Sequence, residues 1–579
     1  MRPLTHCPKG YTRDSDKVVS PAETMARVRA ALSKWGGGVL AETRRIDTGR
    51  LNIPVFLSIC GPKAREVMPT RKQMGKGASP EQAETSALME LVERYSYFNF
   101  WADESNFRTM TWAAAEKAFG SRLIPVGQML RSVNEELSES RAREVLSLVE
   151  WRFCPARDVT SGEDVVVPLD WFKKLNEFNG SSAGNSLEES ILQGGCELIE
   201  RHVCALVDRG EICTPTIDQA SCDDPVLAGL CRAFAANGIK LWLKDFSLGL
   251  PAPTVGALAY DPATFPDKSE IVFTAGTASS PVKAAIRAVT EIAQLAGDFE
   301  TRSNYEASGL RKFTDVGQAA FVTGGDSVSL ASLPSIERSD IFEELSLLGR
   351  GLSDQDFHLY SVETTHPEIG ISANYNFAPG FDFRERTPRA TLGLFVGRIL
   401  AEEAPADRAA QGLARLADVY PGAHFLPFFQ GLLSLRLEDY AAARENFLAA
   451  EPAQPDAEHR SLAAFYAGFT LTREEKWNQA KEHLDRAIAC SGEVKEYFNL
   501  RGVSQFKCRE YRNAAADFTR AVALDKGSAM DLANLGLCHK FLGELGPAAH
   551  FLAAALELDP SLTFAEEHLE EVLRAGAGG

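Results

Sequence analysis

No stretch of the 579-residue chain approaches the ~18 consecutive apolar residues that a membrane-spanning helix needs. Met1 to Gly10 contain no apolar signal core either, so neither a membrane span nor a secretory leader is expected, and the reading places the protein in the cytoplasm. The eleven cysteines, an odd number, include no Cys-x-x-Cys pair, which argues against a disulfide framework and against a zinc ribbon. The nine-residue spacing of Cys204, Cys213, Cys222 and Cys231 matches no secondary-structure period and is read as chance. Positive charge is in deficit: 61 Lys and Arg face 79 Asp and Glu, a formal net charge of −18. Such a balance repels a phosphate backbone and sets nucleic acid aside as a general partner. A Walker A loop, a dinucleotide-binding glycine fingerprint and the protein-kinase signatures are missing from any fitting context.

What is present is ordinary globular text, 45% hydrophobic and 24% charged, long enough for two or more cores. From about residue 424 it becomes Ala-rich helical text with a repeat. Anchored on Tyr440, Trp477, Tyr511 and Leu545, it has a glycine nine residues earlier (Gly431, Gly468, Gly502, Gly536) and an alanine three later (Ala443, Ala480, Ala514, Ala548). Phe447, Leu484, Phe518 or Leu552 follows each anchor by seven residues, and Ala450, Ala487, Ala521 or Ala555 by ten. A generic amphipathic bundle explains apolar spacing but not a shared register for glycine and alanine. The pattern resembles the tetratricopeptide repeat, which implies an all-α solenoid that binds protein or mediates homodimerisation.

Residues 1–395 read as one mixed α/β (α+β) domain, 396–423 as a helical connector lacking Gly/Ser/Pro runs, and 424–579 as the repeat domain. The β-branched stretches Ile53–Ile59, Val165–Leu169 and Ile271–Thr274 predict strands, each followed by turn residues and a long helical pattern.

Three helices carry carboxylates on otherwise apolar circumferences. The first is entered through Gly75-Lys76-Gly77-Ala78-Ser79-Pro80-Glu81, with Ser79 as cap, Pro80 in the first turn and Glu81 at the positive end. Ser86, Glu90 and Glu93 then share a face. The second follows Asn179–Asn185 and aligns Asn185, Glu189, Gln193, Glu197 and Glu200 in one drifting stripe, with Arg201 beside it. In the third, Arg287, Glu291 and Gln294 are aligned. Solvated faces are the usual reading of such residues. Here the apolar surroundings turn the stripes inward, where an unpaired carboxylate costs several kcal/mol. Magnesium held partly by carboxylates and partly by nucleotide phosphates answers that charge, with arginines on phosphate oxygens. An internal ion-pair network answers it equally well, and the residues by themselves leave both open.

The run Gly75 to Arg94, the run Asn179 to Arg201 and the run Arg287-Ala288-Val289-Thr290-Glu291-Ile292-Ala293-Gln294, in this order, resemble the YcaO family. The resemblance spans roughly residues 10–390. It implies an enzyme that uses ATP and Mg2+ to phosphorylate a backbone amide of a peptide or protein substrate, releasing ADP and phosphate. By matching position it implies Glu90, Glu93, Glu197, Glu200 and Glu291 as metal ligands. Lys17, Thr24, Asn185, Glu189, Arg201 and Arg287 would contact nucleotide, and Glu90, Glu200, Arg201 and Arg287 would carry the catalysis. Ser86 is read as back-bonding its own helix, and Gln193 and Gln294 as orienting groups. No covalent nucleophile is required, and His202 reads as a helix-packing histidine rather than a base.

Azoline-forming members often end in a proline-rich PxPxP tail, whereas this sequence ends Arg574-Ala575-Gly576-Ala577-Gly578-Gly579. The expectation is therefore thioamide formation with a TfuA-like sulfur-delivery partner. Azoline formation, an accessory role in methylthiolation of a ribosomal protein and a non-catalytic nucleotide-binding adaptor are the alternatives.

Overall fold

Each of the three predicted strands forms, with shifted ends: Val55–Cys60, Glu163–Pro168 and Val272–Thr277. The structure is a computed structural model that describes residues 2–302, 305, 309–384, 386 and 390–577. Gly578 and Gly579 of the glycine-containing tail lie outside the described residues. The chain divides into two compact units, Met1–Arg143 with Glu150–Thr391, and Glu144–Val149 with Leu392–Gly579.

The first unit holds three sheets. One is the antiparallel set β1 (Leu40–Arg45), β2 (Val55–Cys60) and β3 (Lys72–Lys76). A second takes β4 (Arg108–Thr111), β5 (Glu150–Asp158), β13 (Tyr360–Glu363), β14 (Ser372–Phe377) and β7 (Ser181–Gly184) in that order, with β6 (Glu163–Pro168) paired to β5. The third runs β11 (Val272–Thr277), β10 (Thr254–Tyr260), β9 (Lys240–Asp245), β8 (Thr216–Ile217) and β12 (Ser327–Val328). Among the strand pairings of the described residues only β8 with β12 is parallel, so the α/β expectation resolves to its α+β form, antiparallel sheets carrying helices on their faces.

Five helices matter for the site: α1 (Pro21–Ser33), α2 (Pro80–Ala102), α3 (Leu187–Gly210), α4 (Pro281–Ala296) and α5 (Ile341–Ser353). The central one, α3, packs on β7, β14, β11 and α5. It is buried around most of its circumference, Glu188, Glu189, His202 and Asp208 included, as a helix apolar on nearly every side must be. Its Leu198, Ile199 and Val203 join Phe273, Leu345 and Leu348 in one core, while Ile286 and Val289 of α4 join Leu243 and Val255 in another. Leu88, Leu91 and Val92 of α2 pack with Val28 of α1 in a third. The four evenly spaced cysteines fall on different elements and in two of these cores, with Cys213 exposed, and all are free thiols.

The second unit is helical throughout its described residues. Leu392–Glu402 and Ala406–Val419 precede four helix pairs, Phe425–Arg436 with Tyr440–Ala450, Ala457–Arg473 with Trp477–Cys490, Lys495–Lys507 with Tyr511–Leu524, and Ala529–Phe541 with Leu545–Leu558, and Thr563–Ala577 follows. Every repeat anchor opens the second helix of its pair. The structure gives the reason for the glycine register. A Cβ on Gly431 would lie 2.7 Å from Phe447, on Gly468 2.9 Å from Leu484, on Gly502 3.0 Å from Phe518 and on Gly536 2.7 Å from Leu552. The large residue seven after each anchor fills the space that glycine leaves in the facing helix, and the aligned alanines are fully buried. No helix among the described residues is long and apolar enough to cross a membrane.

Candidate functional site

The entry of each charged helix follows from its local sequence. Ser79 Oγ accepts from Gln82 N at 3.3 Å with Pro80 in the first turn of α2, and Ser186 Oγ accepts from Glu189 N at 3.1 Å at the start of α3. Ser280 and Pro281 begin α4. The sequence reading assigned no strand to the lead-ins, yet the segments before α2 and α3 include strands, β3 through Lys76 and β7 through Gly184. Glycine, serine and alanine are weak strand formers, which hid them.

The stripes on the three helices meet in one cavity of about 440 Å³. Ser86, Glu90 and Glu93 of α2, Asn185 with Glu189, Gln193, Glu197, Glu200 and Arg201 of α3, and Arg287, Glu291 and Gln294 of α4 all line it, as do Lys17 and Thr24. These residues face a space inside the fold, so the solvated-face reading does not apply to them.

The amino-terminal segment is tied to α3. Glu189 Oε2 accepts from Val18 N at 2.8 Å, Lys17 Nζ lies 3.7 Å from Glu189 Oε1, and Thr24 Oγ1 donates to Asn185 Oδ1 at 3.0 Å. Asn185 Nδ2 in turn donates to Glu189 Oε1 at 3.1 Å. Across the cavity, Glu200 Oε2 accepts from Thr277 N at the end of β11 at 2.9 Å, Arg287 Nη1 donates to Gln193 Oε1 at 3.3 Å, and Lys76 pairs with Glu291. Arg94 Nε stands 3.5 Å from Glu93 Oε1, its guanidinium over the Phe178 ring.

Burial governs the protonation of this site. It raises Glu93 to about 8, with Arg94 opposing the rise and Glu197 and Glu90 adding to it. Burial likewise raises Glu90 against Arg94 and Lys76, and raises Glu200 against Arg287, Arg201 and Lys76. Lys76 is lowered to about 8, first by burial and then by Arg287. Carboxyls held above their ordinary range by burial are stabilised in their charged form by any cation that enters. Eight carboxylates against six cationic side chains line the cavity.

The residues present fit Mg2+ and ATP. Arg287 Nε, Arg94 Nη1 and Gln294 Oε1 are buried without a hydrogen-bond partner, an arrangement with donors and an acceptor left for a ligand. Among the described residues no three His, Cys, Asp or Glu side chains converge tightly enough to hold a metal ion by themselves. That is the expected arrangement for Mg2+, which keeps waters and binds through one or two carboxylates together with nucleotide phosphates.

Two neighbours play no acid-base part. Burial pushes the Cys196 thiol up to about 12. His202 stacks on Phe381 with centroids 4.5 Å apart, and its Nδ1 accepts from Asp382 N at 2.9 Å. Burial lowers it to about 4. Between that value and the ordinary 6.5 the unfolded chain binds more protons than the folded one, so His202 stabilises fully above pH 6.5 and loses that contribution as pH falls toward 4. His202→Gln, which keeps an acceptor but does not titrate, is expected to flatten this part of the stability profile by about 3 kcal/mol in denaturant titrations from pH 7 to 4.

Sequence reasoning missed several cavity residues, among them Lys76, Arg94, Asp14 and Lys283. Lys283 Nζ donates to the carbonyls of Thr12 and Arg13, both at 2.7 Å, and Glu188 Oε1 accepts from Thr5 N at 2.7 Å, fixing the segment that bears Asp14 and Lys17. Only Lys76 had a usable signal, the alternation of Gly75-Lys76-Gly77.

The family model for YcaO cyclodehydratase, ATP- and Mg2+-binding, matches residues 74–382. A protein of Methanothermobacter thermautotrophicus described as uncharacterized is 27% identical over 392 residues, 63% of this chain and 95% of that one. An uncharacterized protein in the tfuA 3' region of Rhizobium leguminosarum bv. trifolii is 27% identical over 401 residues, 64% of this chain and 90% of that one. Among solved structures, a heterocyclase in complex with substrate and cofactor aligns with a TM-score of 0.51 at 19% identity, over 66% of this chain and 54% of that one. This last likeness is one of fold.

Proposed function

The chain belongs to the YcaO family, ATP- and Mg2+-binding enzymes, and from that membership we propose that its cavity activates a backbone amide of a peptide or protein for conversion to a thioamide. The observation that carries the reading is the convergence of Glu90, Glu93, Glu197, Glu200 and Glu291 from three helices, with Arg201 and Arg287, on one cavity.

In this reading carboxylates of the set Glu90, Glu93, Glu197, Glu200 and Glu291 would hold Mg2+ together with nucleotide phosphates. Arg201 and Arg287 pair with phosphate oxygens and offset the charge that develops during transfer. Lys17, Thr24, Asn185 and Glu189, already joined to one another, fix the nucleotide against α3. When bound, Mg2+·ATP supplies the phosphoryl group that turns the amide oxygen into a leaving group. A carbon–sulfur bond to sulfide forms, the carbon–oxygen bond breaks, and the amide oxygen departs in inorganic phosphate, leaving ADP. The chain's own contribution is position and charge, with Glu90, Glu200, Arg201 and Arg287 closest to the chemistry.

The name of the Rhizobium relative, which places it beside tfuA, supports a TfuA-like sulfur-delivery partner, and the repeat unit supplies a surface for protein or for a second copy. The family description itself names cyclodehydration, which keeps azoline formation as the second reading. Mass spectrometry of peptide incubated with enzyme, ATP, Mg2+ and sulfide separates them. Thioamidation predicts a gain equal to exchanging oxygen for sulfur, and loss of one water would overturn it in favour of the azoline.

A further inference from the structure

Lys76 stands at the end of β3 between two glycines, and the packing there dictates where it points. A Cβ on Gly75 would lie 2.1 Å from Ala87 N and 2.3 Å from Ala83 O, and one on Gly77 2.7 Å from Ala83 N. Both glycines therefore press against the first turns of α2. Successive residues of an extended chain face opposite sides, so Lys76 is turned away from that contact and lines the cavity. Its side chain is 24% exposed, and it pairs with Glu291 of α4. Arg287, Glu200, Glu90 and Arg201 line the same cavity.

Three cations, Lys76, Arg201 and Arg287, thus gather from β3, α3 and α4. Like charges at close range repel strongly where water is scarce, and Arg287 keeps a buried Nε without a partner. With a divalent cation taking up the neighbouring carboxylates, such a set suits a polyanion, and a lysine complements arginines there as a compact point charge on a phosphate. We infer that Lys76 is a phosphate-binding residue of the nucleotide site, held in place by Glu291 and turned into the cavity by its two flanking glycines. The inference deepens the proposed function and rests on the cavity being the nucleotide site.

Calorimetry with a non-hydrolysable ATP analogue and Mg2+, with adenosine as the second ligand, tests it. Lys76→Gln is expected to weaken the analogue about 10- to 100-fold, the loss of one charge-assisted hydrogen bond, while adenosine changes less than about twofold. Lys76→Arg is expected to recover most of the difference. Equal weakening of both ligands, or no weakening of either, would overturn the inference. If Lys76→Gln fails to fold, the comparison moves to Lys76→Met, which fills similar space without a charge or a donor. Lys76→Met should likewise weaken the analogue and spare adenosine, and unchanged affinity would reduce Lys76 to a counter-ion of Glu291. Wild-type protein that binds no analogue at all would instead remove the nucleotide reading, which is a separate failure.

Discussion

Glu200→Gln is expected to lower the affinity for a non-hydrolysable ATP analogue at least about 100-fold in the presence of Mg2+, and to leave what binding remains indifferent to the metal. The glutamine keeps the shape and can still accept the Thr277 N–H bond that Glu200 Oε2 accepts at 2.9 Å, so only the charge is lost. That charge is the one set among Arg287, Arg201 and Lys76. Folding should not suffer with function. Burial holds this carboxyl above its ordinary range, so a neutral isostere leaves the melting temperature of the ligand-free protein unchanged or higher. Calorimetry and thermal melts on the same preparation check both halves. A purely structural ion-pair network predicts the reverse, lowered stability with nothing to lose in nucleotide affinity.

Gly75→Ala is expected to cost about 3 kcal/mol or more in unfolding free energy. The new methyl group meets Ala87 N at 2.1 Å and Ala83 O at 2.3 Å. Both are backbone atoms inside α2, so no side chain can turn aside, and β3 and α2 must separate. The separation displaces Lys76 in the cavity it shares with Glu90, and analogue binding should fall with stability. Gly229→Ala is the control. It lies within the helix Pro225–Ala236, where the nearest atom to a new Cβ is the end of Arg232 at 3.9 Å, and alanine there should stabilise by up to ~1 kcal/mol. Denaturant melts of the two variants should move in opposite directions.

The helices were legible because capping residues and a 3.6-residue period are local. Ser79-Pro80-Glu81 marks the start of α2 whatever surrounds it, and Glu90 and Glu93 share a face on any helix. The inward direction of the stripes was legible too, since α3 offers no other apolar-free side. The repeat register was readable as a pattern, but its cause, Phe447 against Gly431 and its three counterparts, needed the facing helices. β3 and β7 were hidden because Gly75 and Gly184 are chosen for close approach to helices rather than for strand propensity. A Cβ on Gly184 would sit 2.5 Å from Ser190 N. The anchoring of Thr12 and Arg13 by Lys283 was beyond reach, because the lysine is 271 and 270 residues away along the chain.

The account depends on the glutamates of α2, α3 and α4 gripping a metal-bound triphosphate in one cavity. Co-crystals with a non-hydrolysable ATP analogue and Mn2+ in place of Mg2+, read through the anomalous signal of manganese, test this most directly. The expected result is manganese in contact with oxygens of the set Glu90, Glu93, Glu197, Glu200 and Glu291, with phosphates against Arg201 and Arg287. Nucleotide bound elsewhere, or phosphates in the cavity with manganese distant from every one of those carboxylates, would contradict it.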